Sequence, residues 1–185
     1  HGGKDIMVMR CDSSGAILWS KLIGGTDTDE GSSIIATSDG GVAVCGFSAS
    51  VDGDFTGHIG SFNYDIVIIR MDSLGNILWI KNYGGTSEDR SYSFVETAEG
   101  GFMVAGTTSS TDSMVSVHNG LSDIWVFKTD FSGSLIWEYS YGGSSVDWAN
   151  SIFLTADQGA IIGGYTHSDD SIITTYHGGS DYWAV

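Results

Sequence analysis

The sequence predicts an all-β protein, and specifically a β-propeller built of four-stranded antiparallel blades. Three observations lead to that prediction: a repeat of about 60 residues, four short apolar segments in each copy, and glycine or aspartate at the turns between them. Sustained 3.6-residue periodicity, which marks an amphipathic helix, is absent from the sequence. The 185 residues include 27 glycines and no proline, so the turns depend on Gly, Asn, Asp and Ser.

Three tryptophans define the length of the repeat. Trp19, Trp79 and Trp137 stand 60 and 58 residues apart. The same register aligns the second glycine of a Gly-Gly pair, at Gly25, Gly85 and Gly143. It also aligns an aspartate ahead of the first strand, at Asp5, Asp65, Asp123 and Asp181. We expect the tryptophans to fill the space between adjacent blades, because large aromatic side chains dominate such interfaces.

The two ends of the sequence lie at the same phase of the repeat. It begins with HGGKD and finishes with HGGSDYWAV. We therefore divide the chain into blade 1 at 1–57, blade 2 at 58–117, blade 3 at 118–176, and the start of blade 4 at 177–185. Closed propellers have about 4–8 blades. We expect a fragment of a longer propeller, or a protomer that completes its ring by association.

Each copy contains four strand-like segments. The first (DIMVMR, DIVIIR or DIWVFK) is an almost unbroken apolar run, which is typical of a strand buried on both faces. An Asp-x-x-Gly turn leads to a second segment that carries the tryptophan and stops at the Gly-Gly pair. A unit buried on both faces must stack against a copy of itself. A β-helix and a β-sandwich are the alternatives, but neither explains one tryptophan and one Gly-Gly pair per four strands.

Net charge excludes several classes of partner. Seven Lys and Arg against 23 Asp and Glu give a formal charge of −16, which repels nucleic acids and anionic membranes. Apolar runs long enough to span a bilayer are absent. Cys11 and Cys45 do not recur in the other copies, so they are interpreted as small core residues.

The long loops between copies are the predicted binding face. An antiparallel meander places these loops and the loops after Gly-Gly at one end, and short shared turns at the other. The long loops differ between copies, and variable loops on a rigid scaffold usually carry recognition. The predicted binding residues are Phe55, His58, Phe62, Tyr64, His118 and Tyr176.

Two carboxylates in the segment VDGDFTG are a candidate calcium site. Asp52 and Asp54 supply the oxygen ligands that calcium prefers, although a complete calcium loop has more of them. The alternative is that Asp and Gly simply build turns here. The sequence therefore predicts no cofactor, with calcium as the alternative.

Recurring histidines precede the first strand of each copy, which we expect to lie nearest the central channel. These are His1, His58, His118 and His177. Packing or turn hydrogen bonds are favoured over metal binding, because short-range ligand pairs are absent. The same reasoning assigns turn capping to the aspartates ahead of strand one, and to Asp29, Asp89 and Asp147 after Gly-Gly.

Catalysis has little support in the sequence. It carries neither a G-x-S-x-G elbow nor a phosphate-binding loop, and an active site would break the symmetry of a repeat. We therefore predict no catalytic residues and no enzymatic activity.

The copies resemble a repeat of secreted bacterial surface proteins. In that family the unit reads approximately HGGxDYWVVKLDxxGxxxW, followed by GG and TxDGGYxVAGY. HGGSDYWAV, DIWVFKTDFSGSLIWEYSYGG and TSDGGVAVCGFSASVDGD match it here, and the resemblance spans the whole chain. It implies a β-propeller exported to the cell surface, often as cargo of type IX secretion.

These observations lead to one preferred function and two alternatives. The preferred hypothesis is a non-enzymatic extracellular β-propeller segment for adhesion, recognition or scaffolding at a bacterial surface. Its partner would be a glycan, a protein or a neighbouring repeat. The alternatives are a fragment of a carbohydrate-active enzyme, and a structural subunit of a surface or secretion assembly whose exposed strand edges pair with other chains.

Overall fold

The protein is all-β. A computed structural model describes residues 2–60, 63–173 and 177–184. Within them the chain forms thirteen strands and no helix, and therefore no helix able to cross a membrane. The strands are β1 (Ile6–Cys11), β2 (Ile17–Ile23), β3 (Asp29–Ala36), β4 (Val42–Ser48), β5 (Asp65–Met71), β6 (Ile77–Tyr83), β7 (Asp89–Glu96), β8 (Phe102–Thr108), β9 (Asp123–Thr129), β10 (Leu135–Tyr141), β11 (Asp147–Leu154), β12 (Ala160–Thr166) and β13 (Asp181–Ala184).

The strands form four antiparallel sheets in chain order. The first sheet is β1–β2, the second β3–β4–β5–β6, the third β7–β8–β9–β10, and the fourth β11–β12–β13. Each sheet is a simple meander, because consecutive strands are hydrogen-bonded neighbours. The expectation of four-stranded antiparallel units is confirmed for the second and third sheets.

The sheets are offset by half a copy from the predicted blade boundaries. A unit at 1–57 would hold β1 to β4 in one sheet, but β4 instead pairs with β5 over seven residue pairs, from Val42↔Met71 to Ser48↔Asp65. The divisions at 57/58, 117/118 and 176/177 therefore fall inside sheets. The chain passes to the next sheet at Gly-Gly, where a side chain does not fit: a Cβ on Gly24 would lie 2.1 Å from Oδ1 of Asp5.

Each inner sheet is covered on both faces. On β5, Val67 and Ile69 join Ile6 and Val8 in the core between the first and second sheets. The alternating residue Ile68 faces the other way, into the core between the second and third sheets. A third core, which includes Met103, Val126 and Ile152, joins the third and fourth sheets. The prediction of a first strand buried on both faces is thus confirmed for β5, whose seven residues are all buried.

The sheets approach one another most closely at β3, β7 and β11. β7 contacts both β3 and β11 across the sheet boundaries, whereas the last strand of each four-stranded sheet, β6 or β10, lies on the outside. The expectation that the first strand of each copy lies innermost was wrong. That strand is third in its sheet, because the sheet begins with the third strand of the preceding copy.

The repeated tryptophans lie between sheets. Trp19 packs against the core between the first and second sheets, and Trp79 against the core between the second and third. The indole of Trp19 covers the turn glycine Gly75 of the next sheet, where an added Cβ would lie 2.9 Å from its ring. Gly133 has the same relationship to Trp79, and Trp137 packs against the core between the third and fourth sheets.

Candidate recognition surface

A buried carboxylate holds each Gly-Gly loop against its sheet. Asp89 is fully buried and accepts hydrogen bonds from the Thr108 hydroxyl, from Oγ of Ser110 at 2.8 Å and from the backbone N–H of Gly85 at 2.8 Å. Burial raises the pKa of the Asp89 carboxyl, while the three donors oppose that shift. The equivalent groups are Asp29 with Ser48, Ser50 and Gly25, and Asp147 with Thr166, Ser168 and Gly143. Gly25, Gly85 and Gly143 therefore supply backbone donors to these networks.

The proposed calcium ligands contact backbone amides. Oδ1 of Asp52 accepts a hydrogen bond from the N–H of Thr26 at 2.8 Å, and Oδ2 of Asp54 accepts one from the N–H of Gly24 at 3.0 Å. Within the part of the chain that the structure describes, His, Cys, Asp and Glu form no group of three with metal-site geometry. The two aspartates thus fasten the long loop to the Gly-Gly loop.

The histidines ahead of the first strands lie beside the recurring aspartates. Nδ1 of His58 is 3.3 Å from Oδ2 of Asp65, and both side chains are buried. Burial raises the pKa of Asp65 to about 7, and it lowers the pKa of His58. The exposed His177 repeats the arrangement at 3.7 Å from Asp181. His118 also lies near Asp123, where it lowers the carboxyl pKa that burial raises.

Phe55 is not part of an accessible surface. Its side chain is fully buried in the core between the first and second sheets, which corrects the prediction that it binds a ligand. Val115 and Ile173 occupy the same position in the other copies and are also buried. In each copy this residue donates its N–H to the carbonyl of the aspartate three residues earlier, and the resulting turn points it inward.

The other predicted binding residues differ in their burial, and two of them lie outside the described residues. His58 is buried beside Asp65, whereas Tyr64 and His118 are partly exposed. Phe62 and Tyr176 lie outside the described residues, as does His1. Among the described members of the predicted set, the buried side chains of Phe55 and His58 therefore do not form one accessible patch with Tyr64 and His118.

A different set of side chains forms a continuous surface near the inner strands, which we call the aromatic strip. Its accessible members are Tyr64, Arg90, Tyr92, Trp148, Tyr165 and His167, and the buried ring of Phe47 contacts Arg90 and Tyr64. The guanidinium of Arg90 lies 4.4 Å from the ring centre of Tyr64 and 4.9 Å from that of Phe47. Tyr92 stacks on Trp148 with ring centres 5.9 Å apart, and Trp148 contacts Tyr165 at 5.5 Å.

Two hollows border the aromatic strip. One, of about 170 Å³, lies between the third and fourth sheets and is lined by Arg90, Tyr92 and Trp148 together with Glu88 and Ser122. The other, of about 420 Å³, is lined by Tyr165, His167, Asn150 and Tyr182. The strip therefore combines flat apolar rings with a cation and amide and hydroxyl groups, a composition suited to binding.

Sequence reasoning identified only Tyr64 of the strip, although a signal for the rest was present. Its members occupy repeat positions that change chemically from copy to copy. Glu30, Arg90 and Trp148 are equivalent, as are Phe47, Thr107 and Tyr165. The buried positions around them keep their chemistry, so variation along the third and fourth strands of each copy was the available indication.

Comparison with known proteins gives a distant similarity. None of the known family models matches the chain. The chain is similar to the regulatory protein FlaEY of Caulobacter vibrioides, with 28% identity over 169 residues. The match covers 85% of this chain and 18% of that protein, so the chain spans about a fifth of the length of the relative.

Proposed function

We propose that this chain is a segment of a β-propeller that works as a non-enzymatic recognition or scaffolding module. Support for the propeller comes from the stacking of the sheets in chain order, each buried against the next, with β7 in contact with both β3 and β11. Sheets that converge on their first strands and spread at their last are the arrangement of propeller blades.

The observation that supports recognition is the contrast between a constant scaffold and a variable strip. The carboxylate networks recur in all three copies, whereas the aromatic strip is different in each. Selection for stability alone would favour the same residues in every copy. We infer that the strip contacts a ligand, either a glycan or a protein at a bacterial cell surface.

The buried carboxylates beside the Gly-Gly loops favour binding over hydrolysis. Asp29, Asp89 and Asp147 are buried and accept hydrogen bonds from hydroxyl and backbone groups of their own sheet. A glycosidase needs a pair of carboxyl groups that reach the bond to be cleaved. We therefore propose that the chain has no catalytic role.

The proposed location is extracellular, and type IX secretion is the proposed route. Support comes from the resemblance to exported surface repeats and from the acidic composition. The Caulobacter relative is named a regulatory protein. A regulatory role exercised through binding is compatible with a recognition module.

The test is a binding screen with variants of the strip. The purified chain is applied to arrays of bacterial glycans and to surface-protein extracts, alongside Tyr92→Ala, Tyr165→Ala and the control Phe131→Ala. Phe131 is exposed in a turn at the opposite end of the sheets. We expect a ligand that both strip variants lose and the control retains. Equal binding by all three variants, or cleavage of a bound glycan, would reject the proposal.

A further inference from the structure

A cavity of about 320 Å³ lies along the outer strand of the second sheet. Its walls come from the long loop at 54–57, from 80–83 of β6 and from 133–135 at the turn into β10. The volume is at the lower end of the range of about 300–1,000 Å³ that is typical of small-molecule sites. The cavity therefore suits a ligand with a single ring, and its lining residues are all different from those of the aromatic strip.

An amide without a partner lines this cavity. Asn82 is only 9% exposed, and its Nδ2 has no hydrogen-bond partner among the described residues. Gly57 lines the same cavity, and a Cβ added there would have Nδ2 of Asn82 as its nearest neighbour, at 3.8 Å. The amide therefore faces the space beneath the loop. Because an unsatisfied buried donor costs free energy, a ligand that supplies an acceptor would be bound favourably.

One carboxylate and one lysine also line the cavity. Oδ2 of Asp54 accepts the N–H of Gly24 at 3.0 Å, which leaves Oδ1 as an acceptor for a ligand. Lys81 carries N–H donors, and its charge cancels that of Asp54. The apolar part of the wall consists of Ile80, Met114 and Leu135. The cavity thus suits a neutral ligand that both donates and accepts hydrogen bonds and has an apolar face.

The other copies of the repeat lack this combination of residues. The next long loop has Met114 and Val117 at the positions equivalent to Asp54 and Gly57, so it offers neither the carboxylate nor the space. The first copy has Leu22 at the position of the asparagine. The repeat therefore folds with apolar residues at these positions, and a role in the scaffold does not explain the polar ones.

We propose that this cavity binds a neutral monosaccharide unit, either free or at the end of a glycan. Each hydroxyl of a sugar ring donates and accepts, so neighbouring hydroxyls accept from the Asn82 amide and donate to Asp54. The C–H face of the ring packs against the apolar wall. An anionic ligand would be repelled by Asp54, and a cationic one by Lys81. The site is separate from the aromatic strip, so it stands or falls independently of the proposed function.

The experiment is saturation-transfer NMR of the intact chain with glucose, galactose, mannose, fucose and N-acetylglucosamine, followed by titration. We expect at least one sugar to bind, and Asn82→Leu and Gly57→Val each to weaken that binding by about tenfold. Gly57 does not have positive φ, so a valine there fills the cavity without backbone strain. Ser140→Leu, at the equivalent position of the third sheet, is the matched control and should bind like the natural chain. Tyr92→Ala in the aromatic strip should also retain this binding.

Thermal unfolding separates a binding role of Asn82 from a structural one. Asn82→Leu removes an unpartnered donor, so it should keep or raise the thermal midpoint, and Gly57→Val decides the question if Asn82→Leu does not fold. Methyl glycosides identify the source of the sugar: equal binding indicates the end of a glycan, and lost binding indicates the free sugar. Failure of all of the sugars to bind, or full binding by Gly57→Val, would overturn the proposal.

Discussion

Nδ1 of His58 lies 3.3 Å from Oδ2 of Asp65, and both side chains are buried at the loop end of the second sheet. Oδ2 of Asp65 also accepts a hydrogen bond from the N–H of Ile59 at 2.5 Å. The bond from Ile59 therefore fixes the end of the long loop to the beginning of β5.

This pair predicts a pH dependence of stability that an Asp65→Asn variant lacks. Burial raises the folded-state pKa of Asp65 to about 7, whereas the unfolded value is about 3.9. The stabilisation from protonated Asp65 is thus complete below about pH 4 and is lost as the pH rises towards 7. Between about pH 4 and pH 7, the free energy of unfolding of Asp65→Asn should rise relative to that of the natural chain by on the order of 2 kcal/mol. Urea unfolding of both proteins measures this difference.

The histidine acts in the opposite direction and is present in both proteins. Burial lowers the pKa of His58, so its contribution is complete above about pH 6.5 and is lost as the pH falls. Because Asp65→Asn retains His58, the burial of the histidine contributes to the pH profiles of both proteins. A difference that stays constant between pH 4 and 7 would show that Asp65 titrates normally.

The buried carboxylate of Asp89 should contribute more to stability than a carboxylate in an exposed turn. Its removal leaves the donors of Thr108, Ser110 and Gly85 without an acceptor. We expect Asp89→Ala to lower the free energy of unfolding by about 3 kcal/mol and Asp72→Ala by about 1 kcal/mol. Chemical denaturation of both variants measures the difference, and equal losses would contradict the role assigned to the buried network.

The contact between tryptophan and turn glycine can be isolated with a matched pair of substitutions. Gly15 and Gly75 have nearly the same φ, +86° and +84°, but only Gly75 lies under an indole ring. Gly15→Ala should cost about 1 kcal/mol through backbone strain alone. Gly75→Ala should cost a further 1–3 kcal/mol or so, because its Cβ would overlap Trp19. Thermal unfolding measures both, and identical midpoints would mean that Trp19 does not pack between the sheets.

Calcium should leave the thermal midpoint of this chain unchanged. The carboxylates of Asp52 and Asp54 hold the N–H groups of Thr26 and Gly24, and a cation would have to displace those bonds. Differential scanning calorimetry with calcium and then with a chelator provides the measurement. A calcium-dependent rise in the midpoint that Asp52→Asn abolishes would establish a site here.

Much of the local structure could be predicted from the sequence. The Asp-x-x-Gly turns form as expected: Asp72 accepts the N–H groups of Leu74 and Asn76, and Gly75 adopts positive φ. Turn capping was likewise the predicted role of Asp89 and its equivalents, and the structure confirms it. The turns, and the bond from Gly85 to Asp89, depend on residues close in sequence, whereas Thr108 and Ser110 bond to Asp89 from 19 and 21 residues further along the chain.

The grouping of strands into sheets could not be predicted in the same way. A repeat shows which residues are equivalent, but its phase does not show where one sheet ends and the next begins. The break falls at Gly-Gly rather than in the long loop, because that loop folds back and lets β5 pair with β4. The phase of the repeat also does not show which loop residues point inward, so Phe55 was predicted to lie on a surface. The apolar residues Val115 and Ile173 at its equivalent positions nevertheless indicated burial.

An experimental density map of this chain tests the central claim most directly. We expect sheets that spread from a common line formed by β3, β7 and β11, with Trp19 and Trp79 each wedged between neighbouring sheets. Two flat sheets packed as a sandwich, or indole rings directed into solvent, would contradict the account.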